Sequence, residues 1–120
     1  VLYAIKNSLG SEIFVPKIPS YRIMDLVKAI DNKCKIKMTG RRPGEKIHEE
    51  MITVDDSYNT IENAKYYIIL PSLNDVKIKK YLKFYKAKKI DNVFSYNSES
   101  NKKFLKIEEI KKLIKKNIYF

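Results

Sequence analysis

The sequence predicts an α/β fold, a single layer of helices and strands that belongs to something larger. Three observations carry this expectation. Helical periodicity is strong over residues 23–30 and again from Lys106 onward, and residues 66–70 (YYIIL) read as a strand. The coarse order is helix, strand, helix, strand, turn, strand, loop, helix, which holds too few parallel strands for a complete doubly wound sheet. At 120 residues the chain has room for one core and not for two.

Taken in order, residues 1–9 (VLYAIKNSL) carry helical spacing from the first residue, so further chain before Val1 is expected. Gly10 stands where a C-terminal helix cap belongs. Residues 12–15 form a short apolar run ended by Pro16, a strand leaving that helix. Pro19-Ser20 then signals a helix start with Ser20 as N-cap. Ile23, Leu26, Val27 and Ile30 follow at i, i+3, i+4 and i+7, one buried face that Asp31-Asn32 brings to an end. Residues 35–38 alternate polar and apolar, as a half-buried strand does. A charged turn follows at 40–46 (GRRPGEK), then a short helical or extended piece at 48–52 and a loop at 55–59. In the lysine-dense stretch 74–89, Ile78, Tyr81, Leu82 and Tyr85 sit at helical spacing. From Lys106, the residues Ile107, Ile110, Leu113 and Ile114 share a face, and Glu108 can pair with Lys112 at i+4. There is no internal repeat and no clear domain break.

Composition excludes several classes. No stretch approaches the roughly 18 apolar residues of a membrane span, and no signal-peptide pattern opens the sequence. The single Cys34 rules out an internal disulfide framework and cannot build a zinc site alone, so no metal and a reducing, cytoplasmic setting are expected. A formal charge of +11 suits a footprint for nucleic acid or an acidic membrane face, and suits a lysine-rich background equally. Arginine is confined to Arg22, Arg41 and Arg42, whereas base-reading surfaces favour its planar fork. That balance argues against nucleic acid as a partner. Anionic small ligands such as a pyrophosphate fit either origin of the charge.

The turn at 40–46 is the most informative segment. Two guanidinium groups sit beside Pro43 and Gly44, one stiffening the turn and the other letting the backbone bend. An Arg fork suits a phosphate because it donates two parallel, charge-assisted hydrogen bonds. Glu45, three residues after Arg42, can accept hydrogen bonds from ribose hydroxyls. A nucleoside diphosphate site is therefore physically sensible, and a solvated charged turn accounts for the same composition.

Longer motifs bear on that choice. The runs EIFVPKIPS (12–20), RIMDL (22–26), RPGEKIHEEMIT (42–53), YYIILP (66–71) and FSYNS (94–98) together resemble the inverting UDP-N-acetylglucosamine 4,6-dehydratases. These are extended short-chain dehydrogenase/reductases of the flagellin-glycosylation and capsule pathways. The resemblance is best over 1–71, leaves 72–90 as a variable basic segment, and resumes over 91–120 as a C-terminal extension with the closing helix. It implies that the chain is the C-terminal substrate-binding portion of such an enzyme, a single domain with the Rossmann core missing. By the same resemblance, Arg42 contacts the pyrophosphate of a UDP-sugar, Glu45 the uridine ribose, and Lys17 is a third contact. Tyr21 and Arg41 depart from the family's usual residues and bear on fine substrate preference.

The resemblance also implies a tightly held NADP or NAD in the intact enzyme and a homo-oligomer, with no cofactor bound by this chain alone. The glycine-rich dinucleotide turn is absent, since the only glycines are Gly10, Gly40 and Gly44. Tyr85 and Lys89 reproduce the superfamily's catalytic Tyr-x-x-x-Lys spacing, yet they lie in a lysine-dense stretch far from where the family keeps its pair. No catalytic residue is therefore assigned. His48, the sole histidine, reads as structural or surface, Asp55-Asp56 as turn or cap chemistry, Tyr66-Tyr67 as packing and Cys34 as a small packed residue. Two alternatives stand beside the dehydratase: a capsule-type UDP-N-acetylglucosamine 4-epimerase, and a stand-alone basic module using residues 77–89 on nucleic acid or an anionic surface.

Overall fold

A computed structural model of the chain describes residues 1–71 and 75–117. The start of the 72–90 segment and the last three residues of the closing helical pattern lie outside the described residues. The elements run α1 (Leu2–Asn7), β1 (Ile13–Pro16), α2 (Ile23–Ile30), β2 (Glu50–Ile52), α3 (Val54–Ser57), β3 (Thr60–Glu62), β4 (Tyr66–Ile69), α4 (Asp75–Tyr85), β5 (Lys88–Lys89), β6 (Tyr96–Asn97) and α5 (Ile107–Asn117). They fall into two compact units, the first built from Val1–Lys17 and Glu50–Asn97, the second from Ile18–Glu49 and the chain from Ser98 onward.

In the first unit, four strands form a sheet in the order β1-β4-β3-β5, and β2 pairs with β6. Every one of these pairings is antiparallel, so the α/β expectation holds as a mixed fold with antiparallel sheets. Ile13 pairs with Ile69 and Pro16 with Tyr66, which keeps Pro16 inside an edge strand, where a missing N–H costs least. Residues 66–69 read as a continuous apolar run because both faces of β4 are covered. Ile68 packs with Ile61, Leu70, Tyr81 and Tyr85, while Tyr67 and Ile69 pack against Val15, Ile52 and Tyr96. Alternate residues on a strand point to opposite faces, so one strand serves two clusters. Ile52 and Ile68 are fully buried, each a side chain worth about 1.5–3 kcal/mol of transfer free energy. The lysine-dense stretch does form an amphipathic helix, α4, whose Tyr81 and Tyr85 complete the first cluster.

Several local expectations are corrected here. Helix α1 ends at Asn7 with Ser8 as its C-cap, so Gly10 does not cap it. The expected loop at 55–59 instead holds α3, started by a capping box: Thr53 Oγ accepts from the Asp56 N–H at 3.1 Å, and the Asp56 carboxylate accepts from the Thr53 N–H. Strands β3, β5 and β6 span two or three residues each, too short for periodicity to reveal.

In the second unit, α2 packs against α5 around Ala29 and Ile110. The expected face of α2 is only partly covered, since Ile23 and Ile30 are exposed. Its N-cap is Arg22; Ser20 instead forms a short parallel bridge with Phe104, accepting from the Leu105 N–H at 2.8 Å and donating its own N–H to the Lys103 carbonyl at 2.9 Å. On α5, Glu108 pairs with Lys111 at 3.2 Å, one residue earlier than the spacing suggested. Residues 35–38 form no strand, and Cys34 is exposed rather than packed. Alternation permits a strand, but a strand needs a neighbour to pair with, and no strand falls in this unit among the described residues.

Candidate functional site

The turn that carries Arg42 and Glu45 is closed by its own backbone and side chains. Gly40 and Gly44 hold φ +77 and +84, the left-handed region that glycine enters at no steric cost. The Glu45 N–H donates to the Arg42 carbonyl at 3.1 Å, and the Arg42 N–H donates to the Glu45 carboxylate at 3.0 Å. The Arg42 Nε lies 3.8 Å from the other Glu45 oxygen. With the Arg42 side chain 85% exposed, that ion pair adds little to stability. The turn therefore sets a guanidinium and a carboxylate side by side at the surface, with the fork open to a bidentate anion. Arg41 is exposed next to it. His48, three residues beyond Glu45, lies with its Nδ1 2.7 Å from the Ser98 hydroxyl.

Lys17 belongs to the first unit, at the end of β1. Its ammonium donates to the Glu62 carboxylate at 2.6 Å and to the Asn63 carbonyl at 2.8 Å, and stands 4.5 Å from the centre of the Tyr67 ring. Lys88 approaches the second Glu62 oxygen at 3.3 Å. The bond from Lys17 holds the Glu62 carboxyl below its ordinary value against partial desolvation, and Lys88 adds to the effect. Lys17, Glu62 and Lys88 line an open cleft of about 390 Å³ with Asn63, Ala64, Lys86 and Ala87. An anion entering the cleft would compete with Glu62 for Lys17.

The remaining candidates take structural places. Tyr85 ends α4, Lys86 follows at φ +48, and Lys89 lies in β5, so Tyr85 and Lys89 are not neighbours on one helix turn. The Tyr85 hydroxyl donates to the Glu12 carboxylate and lies 2.8 Å from the Asn7 carbonyl. Burial pushes that phenol well above its ordinary value, and the bond to Glu12 pushes it further. Asp56 belongs to the capping box of α3. Tyr66 stacks on Tyr3 at 4.5 Å, and Tyr67 packs beside Phe94 and Tyr96. Among the described residues, no group of three or more His, Cys, Asp and Glu side chains could hold a metal ion. No helix there is long and apolar enough to cross a membrane.

Glu62 and Ser98 escape the sequence reading, for different reasons. Glu62 sits in a three-residue strand that no periodicity marks. Ser98 closes the FSYNS motif, yet nothing in the motif names His48 as its partner.

The chain is therefore a mixed α/β fold with antiparallel sheets and a surface Arg-x-Gly-Glu turn. The chain belongs to the polysaccharide biosynthesis protein family, whose model matches residues 1–71. It is 39% identical over 120 residues to the UDP-N-acetylglucosamine 4,6-dehydratase (inverting) of Campylobacter jejuni, an alignment covering 95% of this chain and 35% of that relative. It is 34% identical over 118 residues to the UDP-glucose 4-epimerase of Rickettsia akari, covering 95% of this chain and 34% of the epimerase. Among solved structures it resembles Pen from Bacillus thuringiensis, with a TM-score of 0.71 and 28% identity over 96% of this chain and 34% of Pen. The chain thus spans about a third of the length of the curated relatives it matches.

Proposed function

We propose that the chain is the UDP-sugar-binding part of an inverting UDP-N-acetylglucosamine 4,6-dehydratase in surface polysaccharide or glycan biosynthesis. The observation that carries this reading is the Arg42–Glu45 turn, surface-held and self-braced, inside a stretch aligned with a dehydratase of that activity. Arg42 clamps the pyrophosphate and Glu45 takes the uridine ribose; Lys17, in the first unit, is kept as a separate candidate contact for an anion that displaces it from Glu62. Binding energy gathered there, remote from the reacting sugar carbons, positions the sugar for chemistry carried by other residues.

The NADP or NAD of such an enzyme is not assigned to Gly40 or Gly44. Gly40 and Gly44 lie in an exposed turn and not between a strand and a helix, so no dinucleotide cradle forms around them. The cofactor and the Rossmann core are therefore assigned to other parts of the enzyme, which we take to be a cytoplasmic homo-oligomer. Tyr85 is left out of the chemistry, because a phenol held protonated by burial and a carboxylate is poorly matched to acid–base work near neutral pH.

The second reading, an epimerase, is favoured by the similarity to UDP-glucose 4-epimerases. It shares the binding assignments and differs in product, which an assay of the 4-keto sugar's fate separates. The test of the shared part is calorimetric titration of UDP into the enzyme carrying this chain, as wild type and Arg42→Ala. Loss of a charge-assisted contact weakens binding about tenfold to a hundredfold. An unchanged Kd would overturn the assignment. A basic nucleic-acid module would instead show binding that falls steeply with salt.

A further inference from the structure

We infer that the His48–Ser98 hydrogen bond is the anchor that sets the Arg42–Glu45 turn in its binding geometry, making His48 and Ser98 positioning residues. The inference rests on the reading of Arg42 and Glu45 given above. Residues 31–49 are exposed throughout, and no regular element falls between Ile30 and Glu50. Their local hydrogen bonds are short in range: the Asp31 N–H on the Val27 carbonyl, the Lys33 N–H on the Asp31 carboxylate, and the two bonds that close the 42–45 turn. Among the described residues, one hydrogen bond ties this segment to a residue distant in sequence, the 2.7 Å contact between His48 Nδ1 and Ser98 Oγ.

The far side of that bond is firmly built. Three residues after Ser98, the Asn101 amide donates to the Ile18 carbonyl at 2.8 Å and to the Ser20 hydroxyl at 3.0 Å. The bridge between Ser20 and Phe104 continues the same stitching, with the Ser20 N–H on the Lys103 carbonyl and the Leu105 N–H on the Ser20 carbonyl. Ser98 therefore stands just ahead of a bonded base at the foot of α2, while His48 stands three residues beyond Glu45. One bond passes the order of that base to a turn that has no core of its own. Its benefit falls on binding rather than on folding: an anchored turn has less freedom to lose when a ligand arrives. The exposed bond itself is worth little to the stability of the fold.

The test uses UDP as probe and the enzyme that carries this chain. Ser98→Ala and His48→Ala each weaken UDP binding roughly three- to tenfold, the net worth of one hydrogen bond. The double variant is no weaker than either single, because both remove one bond. Ser98→Thr, which keeps the hydroxyl, restores affinity, and the unfolding midpoint stays at the wild-type value in all of them. If Arg42→Ala weakens UDP binding while Ser98→Ala does not, the anchor is overturned and the binding assignment survives. Additive losses in the double variant, or a midpoint that falls with the affinity, overturn the anchor too. An unchanged Kd in Arg42→Ala removes the binding assignment and the anchor together.

Discussion

Replacing Glu12 by Gln tests how the first unit is held together at its N-terminal end. Glu12 is a buried carboxylate, 9% exposed, that accepts from the Leu9 N–H, from the Gly10 N–H at 2.8 Å and from the Tyr85 hydroxyl. Burial pushes its carboxyl up, but those three donors and its own backbone N–H together outweigh burial and leave it below the ordinary 4.5. A bond to a charged acceptor contributes about 1.5–3 kcal/mol. Gln keeps one acceptor oxygen and turns an amide toward donors. Leu9 and Gly10 are exposed and can bond water, and the Tyr85 hydroxyl keeps the Asn7 carbonyl at 2.8 Å. The expected loss is therefore about 1–2 kcal/mol at pH 7 rather than the sum of three bonds. The assay is urea unfolding followed by the fluorescence of the nine tyrosines, since the chain has no tryptophan. A carboxyl depressed by folding stabilises fully above its unfolded value, and that contribution fades as pH falls through the folded value. Wild type loses it below pH 4.5 and the Gln variant has none to lose, so the gap between them closes toward pH 3. Equal stability at pH 7, or a gap unchanged at pH 3, would refute the reasoning.

Two further substitutions probe the Lys17 cleft and its rim. Glu62→Gln removes the partner of Lys17 and Lys88 and costs about 1–2 kcal/mol above pH 4.5 in the same urea assay, the difference again vanishing on the acid side. The same variant frees the Lys17 ammonium and lowers the Kd for UDP; an unchanged or raised Kd argues against Lys17 as a substrate contact. Lys86→Gly relieves a side chain held at φ +48 after α4 and raises the unfolding free energy by about 0.5–1 kcal/mol. A loss of stability there would mean that the Lys86 side chain makes contacts worth more than the strain.

Much of the helical framework was legible, because periodicity is a local property. The face of α2, the tyrosines of α4 and the apolar stripe of α5 all appear at i, i+3 and i+4 spacing before any contact is known. The strand at 66–69 was legible as well, since a run covered on both faces stays apolar without alternating. The same reading erred at 35–38, where alternation met no partner strand, and at 55–59, where the Thr53-x-x-Asp56 box was a helix signal with Asp in place of the usual Glu.

By itself, then, the sequence determined the helices other than α3, the best strand, the family and the Arg42–Glu45 turn, because each rests on neighbours within a few residues or on an ordered motif. Only the tertiary structure decided that the sheet is antiparallel, that Lys17 is held by Glu62, that Tyr85 is bonded to Glu12, and that His48 meets Ser98. Those pairs lie 45 to 73 residues apart in sequence. Which donor meets which acceptor across such distances follows from packing, and no local pattern encodes it.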